Sequence, residues 1–166
     1  ILTNAHVIET QGDIKVTLQD SREFTAKIIG SDPDYDLAVL QLETKETLPE
    51  APMGTSSDLM VVATVIAIGN PFGFSNTVTT GIISSLDRNV RTKDKTFVNL
   101  IQLDASINPG NSGGPLLNIY GELIGINTAI YANAQGIGFA IPIDLAKKIT
   151  NDLITYGKIT PSWIGV

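Results

Sequence analysis

Across its first 142 positions the chain is a succession of short apolar runs, broken by Gly, Pro, Asn or Asp. That punctuation suits strands and leaves no room for a long helix, so an all-β barrel architecture is predicted. The expected strands are Ile14–Gln19, Phe24–Gly30, Leu37–Leu42, Thr64–Ile68, Thr77–Leu86, Val98–Leu103, Leu116–Leu117, Leu123–Ile130 and Gly136–Ile141. Ile14-Lys15-Val16-Thr17-Leu18 alternates apolar and polar residues, as a half-buried strand does. Val65-Ile66-Ala67-Ile68 is apolar throughout, which predicts a strand buried on both faces. Only from Asp144 to Tyr156 does the period become helical. There Leu145, Ile149 and Leu153 share one face, away from Lys147, Lys148 and Asp152. Asp144 is expected to cap this helix at its N-terminus and Gly157 at its C-terminus, with the helix packed on a barrel.

Composition removes several function classes. With 11 Lys and Arg against 17 Asp and Glu, the net charge is −6. Binding to nucleic acid or attachment to anionic membrane needs basic patches, so neither is expected. The longest apolar stretch, around Leu59 to Ile68, falls short of the roughly 20 residues that span a bilayer. The chain has no cysteine and one histidine, which leaves no thiolate site, no disulfide and no metal-ligand cluster. No cofactor is predicted.

The chemistry concentrates in Asn108-Pro109-Gly110-Asn111-Ser112-Gly113-Gly114-Pro115-Leu116. Gly110, Gly113 and Gly114 can take dihedrals closed to other residues and let backbone N–H groups crowd around one point. A hydroxyl beside such donors is what acyl transfer requires: a nucleophile and a seat for the developing oxyanion. A Gly-rich loop of this kind also serves as a plain connection between strands, so its partners decide.

A serine hydroxyl needs a general base, and His6 is the one histidine available. Read alone, His6 among apolar neighbours is equally a packed or surface residue. A carboxylate must then fix the imidazole tautomer. Asp36, at the mouth of the apolar run Leu37–Leu42, is the best candidate, although a lone Asp there can simply end a strand. Asp32 and Asp34 flank Pro33 and read as solvated turn residues. The run Gly110-Asn111-Ser112-Gly113-Gly114 also fits the nucleophile elbow of α/β-hydrolases. That fold places its histidine after the serine and a helix after the elbow. Here no histidine follows Ser112, and Pro115 leads into a strand-like Leu116-Leu117. The order His6, Asp36, Ser112 is that of chymotrypsin.

With these segments in hand the chain resembles the trypsin-like fold and, within it, the HtrA (Deg) family of bacterial serine proteases. The resemblance rests on Leu2–Val7, Asp36–Leu40, Ala67–Gly73, Gln102–Leu117 and Gly136–Pro142, spread over nearly the whole chain, with 30 residues from His6 to Asp36 and 76 on to Ser112. It implies His6 as general base, Asp36 as its orienter and Ser112 as nucleophile. It further implies an oxyanion hole from the backbone N–H groups of Gly110 and Ser112, with Asn111 between them. Two departures stand out. Leu103 occupies a position where the family usually has Thr, and Val61-Val62-Ala63 replaces a turn that usually holds Gly and an acidic residue.

The resemblance implies two barrels: a partial first barrel over 1–46, a linker over 47–58, and a second barrel with the C-terminal helix over 59–157. Residues 158–166 read as the start of a linker to an absent PDZ domain. Ile1-Leu2-Thr3 falls in the middle of a strand, so the first barrel is expected to be incomplete and the isolated chain to have low activity. Ser106, six residues before Ser112, stands where enzymes that cut after Lys or Arg carry Asp. A shallow apolar pocket walled by Ile107, Ile130 and Gly138 is therefore predicted, preferring Val, Ala or Ile and rejecting a buried ammonium. An extended substrate would pair with Asn127 and Thr128 by strand addition. The charged segment Leu86–Lys95 reads as a solvated hairpin, and by resemblance it holds a regulatory residue, Arg88. The expected partners are unfolded polypeptides, with a homotrimeric or larger parent assembly and a periplasmic or envelope location. The function implied is an ATP-independent endopeptidase of protein quality control; a chaperone-like binder that holds chains without cutting them is the alternative.

Overall fold

The computed structural model describes residues 1–9, 12–70, 77–93, 95–130 and 136–159. The chain divides into two compact units, Ile1–Thr47 joined by Lys147 onward, and Leu48–Ala146. The first unit is a four-stranded antiparallel sheet. Its strands are β1 (Leu2–Thr3), β2 (Ile14–Thr17), β3 (Glu23–Asp32) and β4 (Leu37–Leu42), in the spatial order β1-β4-β3-β2. A 3-10 turn, η1 (Ala5–Val7), follows β1 directly. Leu2 pairs with Val39 and Thr3 with Ala38, which sets the start of η1 beside the start of β4. Ile8, Ala26, Ala38 and Leu40 form the unit's apolar core, with Ile14, Val16 and Leu42 packed against it. The edge strands β1 and β2 flank an open groove of about 360 Å³, lined in part by Ile1, Val7, Ile14 and Val16.

The second unit closes. Its strands β5 (Thr64–Gly69), β6 (Thr77–Arg91), β7 (Thr96–Leu103), β8 (Pro115–Leu117), β9 (Leu123–Thr128) and β10 (Gly138–Pro142) form a barrel in the order β10-β7-β6-β5-β8-β9. Val65, Ile83, Ile101, Leu103, Leu116, Ile124 and Ala140 fill its interior. The all-β fold with one C-terminal helix, α1 (Ile143–Tyr156), is therefore as the apolar runs predict. The expectation for Val65–Ile68 is corrected: Val65 and Ala67 are buried, but Ile66 and Ile68 are only half-buried, since alternate residues of a barrel strand face outward.

Part of the segment expected as a linker, 47–58, is tied to β9. Met53 bridges Leu123, Gly54 N–H donates to the Leu123 carbonyl at 3.0 Å, and Leu123 N–H donates to the Pro52 carbonyl at 2.8 Å. Asp144 reaches beyond its own helix. It lies within α1, and its carboxylate accepts from the Thr55 hydroxyl and from the N–H groups of Ser56 and Ser57, at 2.9–3.0 Å. Ser56 Oγ in turn accepts the Asp144 N–H at 3.1 Å, an end-of-helix donor satisfied from another segment. The buried face of α1 is Ile143, Ala146, Ile149 and Leu153, with Leu145 half-buried at its margin. From Lys147 the helix belongs to the first unit rather than the second barrel. Gly30 is the reason: a Cβ there would meet the Leu153 carbonyl at 2.8 Å, so only glycine lets β3 approach so closely. Gly157 does close the helix, with φ +72° and its N–H on the Leu153 carbonyl at 3.0 Å.

Candidate active site

In the first unit His6 sits in η1 and Asp36 just before β4. The β1–β4 pairing fixes both ends. Nδ1 of His6 lies 2.9 Å from each oxygen of the Asp36 carboxylate, and the His6 backbone N–H donates to Asp36 Oδ1 at 3.1 Å. An ionised carboxylate can only accept, so this geometry puts the ring proton on Nδ1 and leaves Nε2 with a lone pair. Asp36 is 1% exposed and the His6 side chain 43% exposed, so the orienting group is enclosed while the ring stays accessible. Asp36 holds φ +56°, the left-handed region that Asp tolerates and most residues avoid. Its carbonyl accepts a 2.9 Å hydrogen bond from Nδ2 of Asn4, a fully buried side chain.

In the second unit Ser112 lies in the loop between β7 and β8. Gly110 and Gly113 take φ +101° and +80°, the conformations their sequence predicts. Asn111 N–H is committed to the Asn108 carbonyl at 2.9 Å, and its Nδ2 to the Ser106 carbonyl at 3.1 Å. Asn111 therefore serves by holding the loop rather than as an oxyanion donor. Among the described residues, the N–H groups of Gly110 and Ser112 meet no acceptor. The half-buried Ser112 hydroxyl accepts from Ala129 N–H at 3.0 Å, which leaves its own proton to give.

The seat of this loop is the ends of β5 and β9. Asn70 N–H donates to the Gly110 carbonyl at 3.1 Å. Gly113 N–H donates to the Asn127 carbonyl and Asn127 N–H to the Gly114 carbonyl, both at 2.9 Å. A Cβ on Gly114 would run into the Ile68 carbonyl. Gly69 and Asn70 fall in a segment that carries the family resemblance, but 41 positions separate Gly69 from Gly110, so their use in seating the Ser112 loop has no local signal. Pro71–Gly73 of the same motif, like Pro161–Val166, lie outside the described residues.

The strand expected to pair with substrate, β9, lies between β8 and β10, and its register with β8 ends at Pro115 and Ile126, short of Asn127 and Thr128. Both side chains are buried, and Asn127 spends its backbone on Gly113 and Gly114. Ile107 is buried in the barrel's apolar core and packs on Gly138, where a Cβ would lie 2.7 Å from Ile107 Cγ1. Ile130 is half-buried, its N–H on the Thr128 carbonyl at 3.2 Å. Arg88 stands on β6, exposed, with Nε on Gln102 Oε1 at 2.9 Å. Leu86–Arg91 continue β6, which pairs with β7 out to Arg91 and Thr96 as a hairpin, with irregular register around Ser85 and Arg88. Among the described residues no group of His, Asp or Glu could hold a metal ion, and no helix is long and apolar enough to cross a membrane.

Residues 1–126 match the family of the trypsin-like peptidase domain. The whole chain is 55% identical to HhoA of Synechocystis sp., named as a serine protease, and covers 43% of it. It is 48% identical to the chloroplastic protease Do-like 1 of Arabidopsis thaliana, covering 39%. It is also 48% identical to the DegP-like periplasmic serine endoprotease of Pseudomonas fluorescens, covering 35%. The chain thus spans less than half the length of these relatives. Among solved structures, the HtrA-type protease AlgW with a decapeptide superposes over 99% of this chain and 51% of its own, with TM-score 0.91 and 47% identity. The serine endoprotease of Yersinia pestis covers 99% of this chain with TM-score 0.86 and 44% identity. The chain belongs to the trypsin-like peptidase family, on its HtrA (Deg) serine protease branch.

Proposed function

We propose that this chain is the catalytic domain of an ATP-independent serine endopeptidase that degrades unfolded polypeptides. Ser112 Oγ attacks the carbonyl carbon of the scissile bond and passes its proton to His6 Nε2. Asp36 holds the tautomer that makes Nε2 the base and stabilises the imidazolium as it forms. The tetrahedral oxyanion is received by the N–H groups of Gly110 and Ser112. Collapse expels the amine, which takes the proton from His6, and water then cleaves the acyl ester by the same route. Only water is consumed, so no nucleotide is needed. The observation that carries the reading is the enclosed Asp36 carboxylate with both oxygens 2.9 Å from His6 Nδ1.

The absence of an acidic residue at Ser106, together with aliphatic Ile107 and Ile130, supports cleavage after small aliphatic residues. The names of bacterial relatives, DegP-like periplasmic serine endoproteases, support a periplasmic or envelope setting. A fluorophosphonate probe is expected to label Ser112 and to fail on Ser112→Ala. Casein cleavage should fall by roughly 10³–10⁴-fold in the same variant. A folded chain that stays unlabelled would overturn the proposal. A peptide-library profile dominated by cleavage after Lys or Arg would overturn the specificity.

A further inference from the structure

We propose that Asn4 is a positioning residue for the nucleophilic site, holding Asp36 in the left-handed conformation that aims its carboxylate at His6. The inference rests on the role of the His6–Asp36 pair given above, and begins from a misfit between residue and place. Asn4 stands at the N-cap of η1 with extended dihedrals, φ −79° and ψ 148°, where an Asn side chain normally accepts from the turn that follows. It makes no such bond. Its Nδ2 instead crosses 32 positions of sequence to the Asp36 carbonyl, at 2.9 Å.

The side chain is also an expensive one to enclose. Asn4 is 0% exposed, and among the described residues its Oδ1 has no hydrogen-bond partner. An apolar residue would fill the same space without burying a half-satisfied amide. What the amide does achieve is directional. Asp36 at φ +56° is in a conformation that costs an L-residue energy unless its surroundings over-determine it. The segment that carries His6 contributes to this at both ends: Asn4 on its carbonyl, and the backbone N–H and ring of His6 on its carboxylate. Asn4 and His6 belong to one short segment, so a single stretch of chain grips Asp36 at both main chain and side chain. Without Asn4 the Asp36 carbonyl loses this donor, and the carboxylate is freer to swing off the ring.

His6 is the sole histidine, so its ring nitrogens are the only imidazole signals in a ¹⁵N spectrum. At a pH where the ring is neutral, the full chain is expected to show the proton on Nδ1. In Asn4→Ala a large share should revert to the Nε2–H tautomer. In the same variant kcat should fall about 10- to 100-fold with KM changed less than about threefold, the scale of a misplaced catalytic group. Added to Asp36→Asn, Asn4→Ala should cost little more, because it acts through Asp36. An unchanged tautomer in folded Asn4→Ala, or a loss of the same size in both backgrounds, would overturn the proposal. Should Asn4→Ala not fold, hydrogen exchange of the Asn4 side-chain amide in the unmodified chain decides: slow exchange supports the bond, and exchange as fast as a surface Asn refutes it. A chain that proves inactive would sink the protease reading while the tautomer still tests Asn4.

Discussion

Gly69 and Asn111 are packed backbone against side chain and backbone, with no room for another atom between them. A Cβ on Gly69 would lie 2.6 Å from Asn111 Cα and 2.8 Å from its Cγ. Asn111 immediately precedes Ser112 and is itself 1% exposed, so the end of β5 is the floor on which the nucleophile's loop rests. Gly69→Ala must displace that loop, because the contact is to backbone and to an enclosed side chain. A destabilisation of about 1–3 kcal/mol is expected, the range for overpacking. Fluorophosphonate labelling of Ser112 should slow by more than the loss of folded protein explains. Urea unfolding and labelling rates measured on one sample would check both, and unaltered labelling would refute the floor.

Val62 is the opposite case, a residue where glycine belongs. It has φ +74° in the turn closed by Ala63 N–H on the Met60 carbonyl, and it is 67% exposed. A β-branched residue there is strained by roughly 1–2 kcal/mol, against which glycine loses about 0.5–1 kcal/mol of chain entropy. Val62→Gly is therefore expected to stabilise the chain by some tenths of a kcal/mol up to about 1 kcal/mol. Thermal unfolding would show a raised Tm, and a lowered one would rule the strain out.

Local pattern was enough for the strands and for the motif residues, and it failed wherever a polar group reaches far along the chain. Leu37–Leu42 is a strand with the predicted ends because six successive apolar or amide residues leave little choice. The helix stop at Gly157 was readable for the same reason, since it needs only the preceding turn. The bond from Asn4 to Asp36 and the contacts of Asp144 with residues 55–57 are not, because those partners stand 32 and up to 89 positions away. The backbone ties from Asn127 to Gly113 and Gly114 are of the same long-range kind, and the run Leu123–Thr128 alone does not show them.

Asp144 offers a test of the clamp on residues 55–57. One carboxylate oxygen accepts the Thr55 hydroxyl and two backbone N–H groups. Removing it leaves those amides without their charged acceptor, so Asp144→Ala should destabilise by about 1–3 kcal/mol. Asp144→Asn keeps one acceptor oxygen but loses the charge, and should fall between the two. Equal stability of all three chains in chemical denaturation would mean the clamp carries nothing.

Asn127 separates a substrate contact from a structural tie. Its Nδ2 donates to the Pro115 carbonyl at 3.0 Å and reaches toward the Ile68 carbonyl at 3.4 Å, linking the strand after Ser112 to β5. Asn127→Ala keeps the backbone bonds to Gly113 and Gly114 but strips a donor from the Pro115 and Ile68 carbonyls, at a cost of about 1–3 kcal/mol. If Asn127 only ties strands, peptide KM should stay within about twofold while stability and Ser112 labelling decline together. A raised KM with unaltered stability would instead return Asn127 to the substrate, because loss of uniform binding moves KM alone.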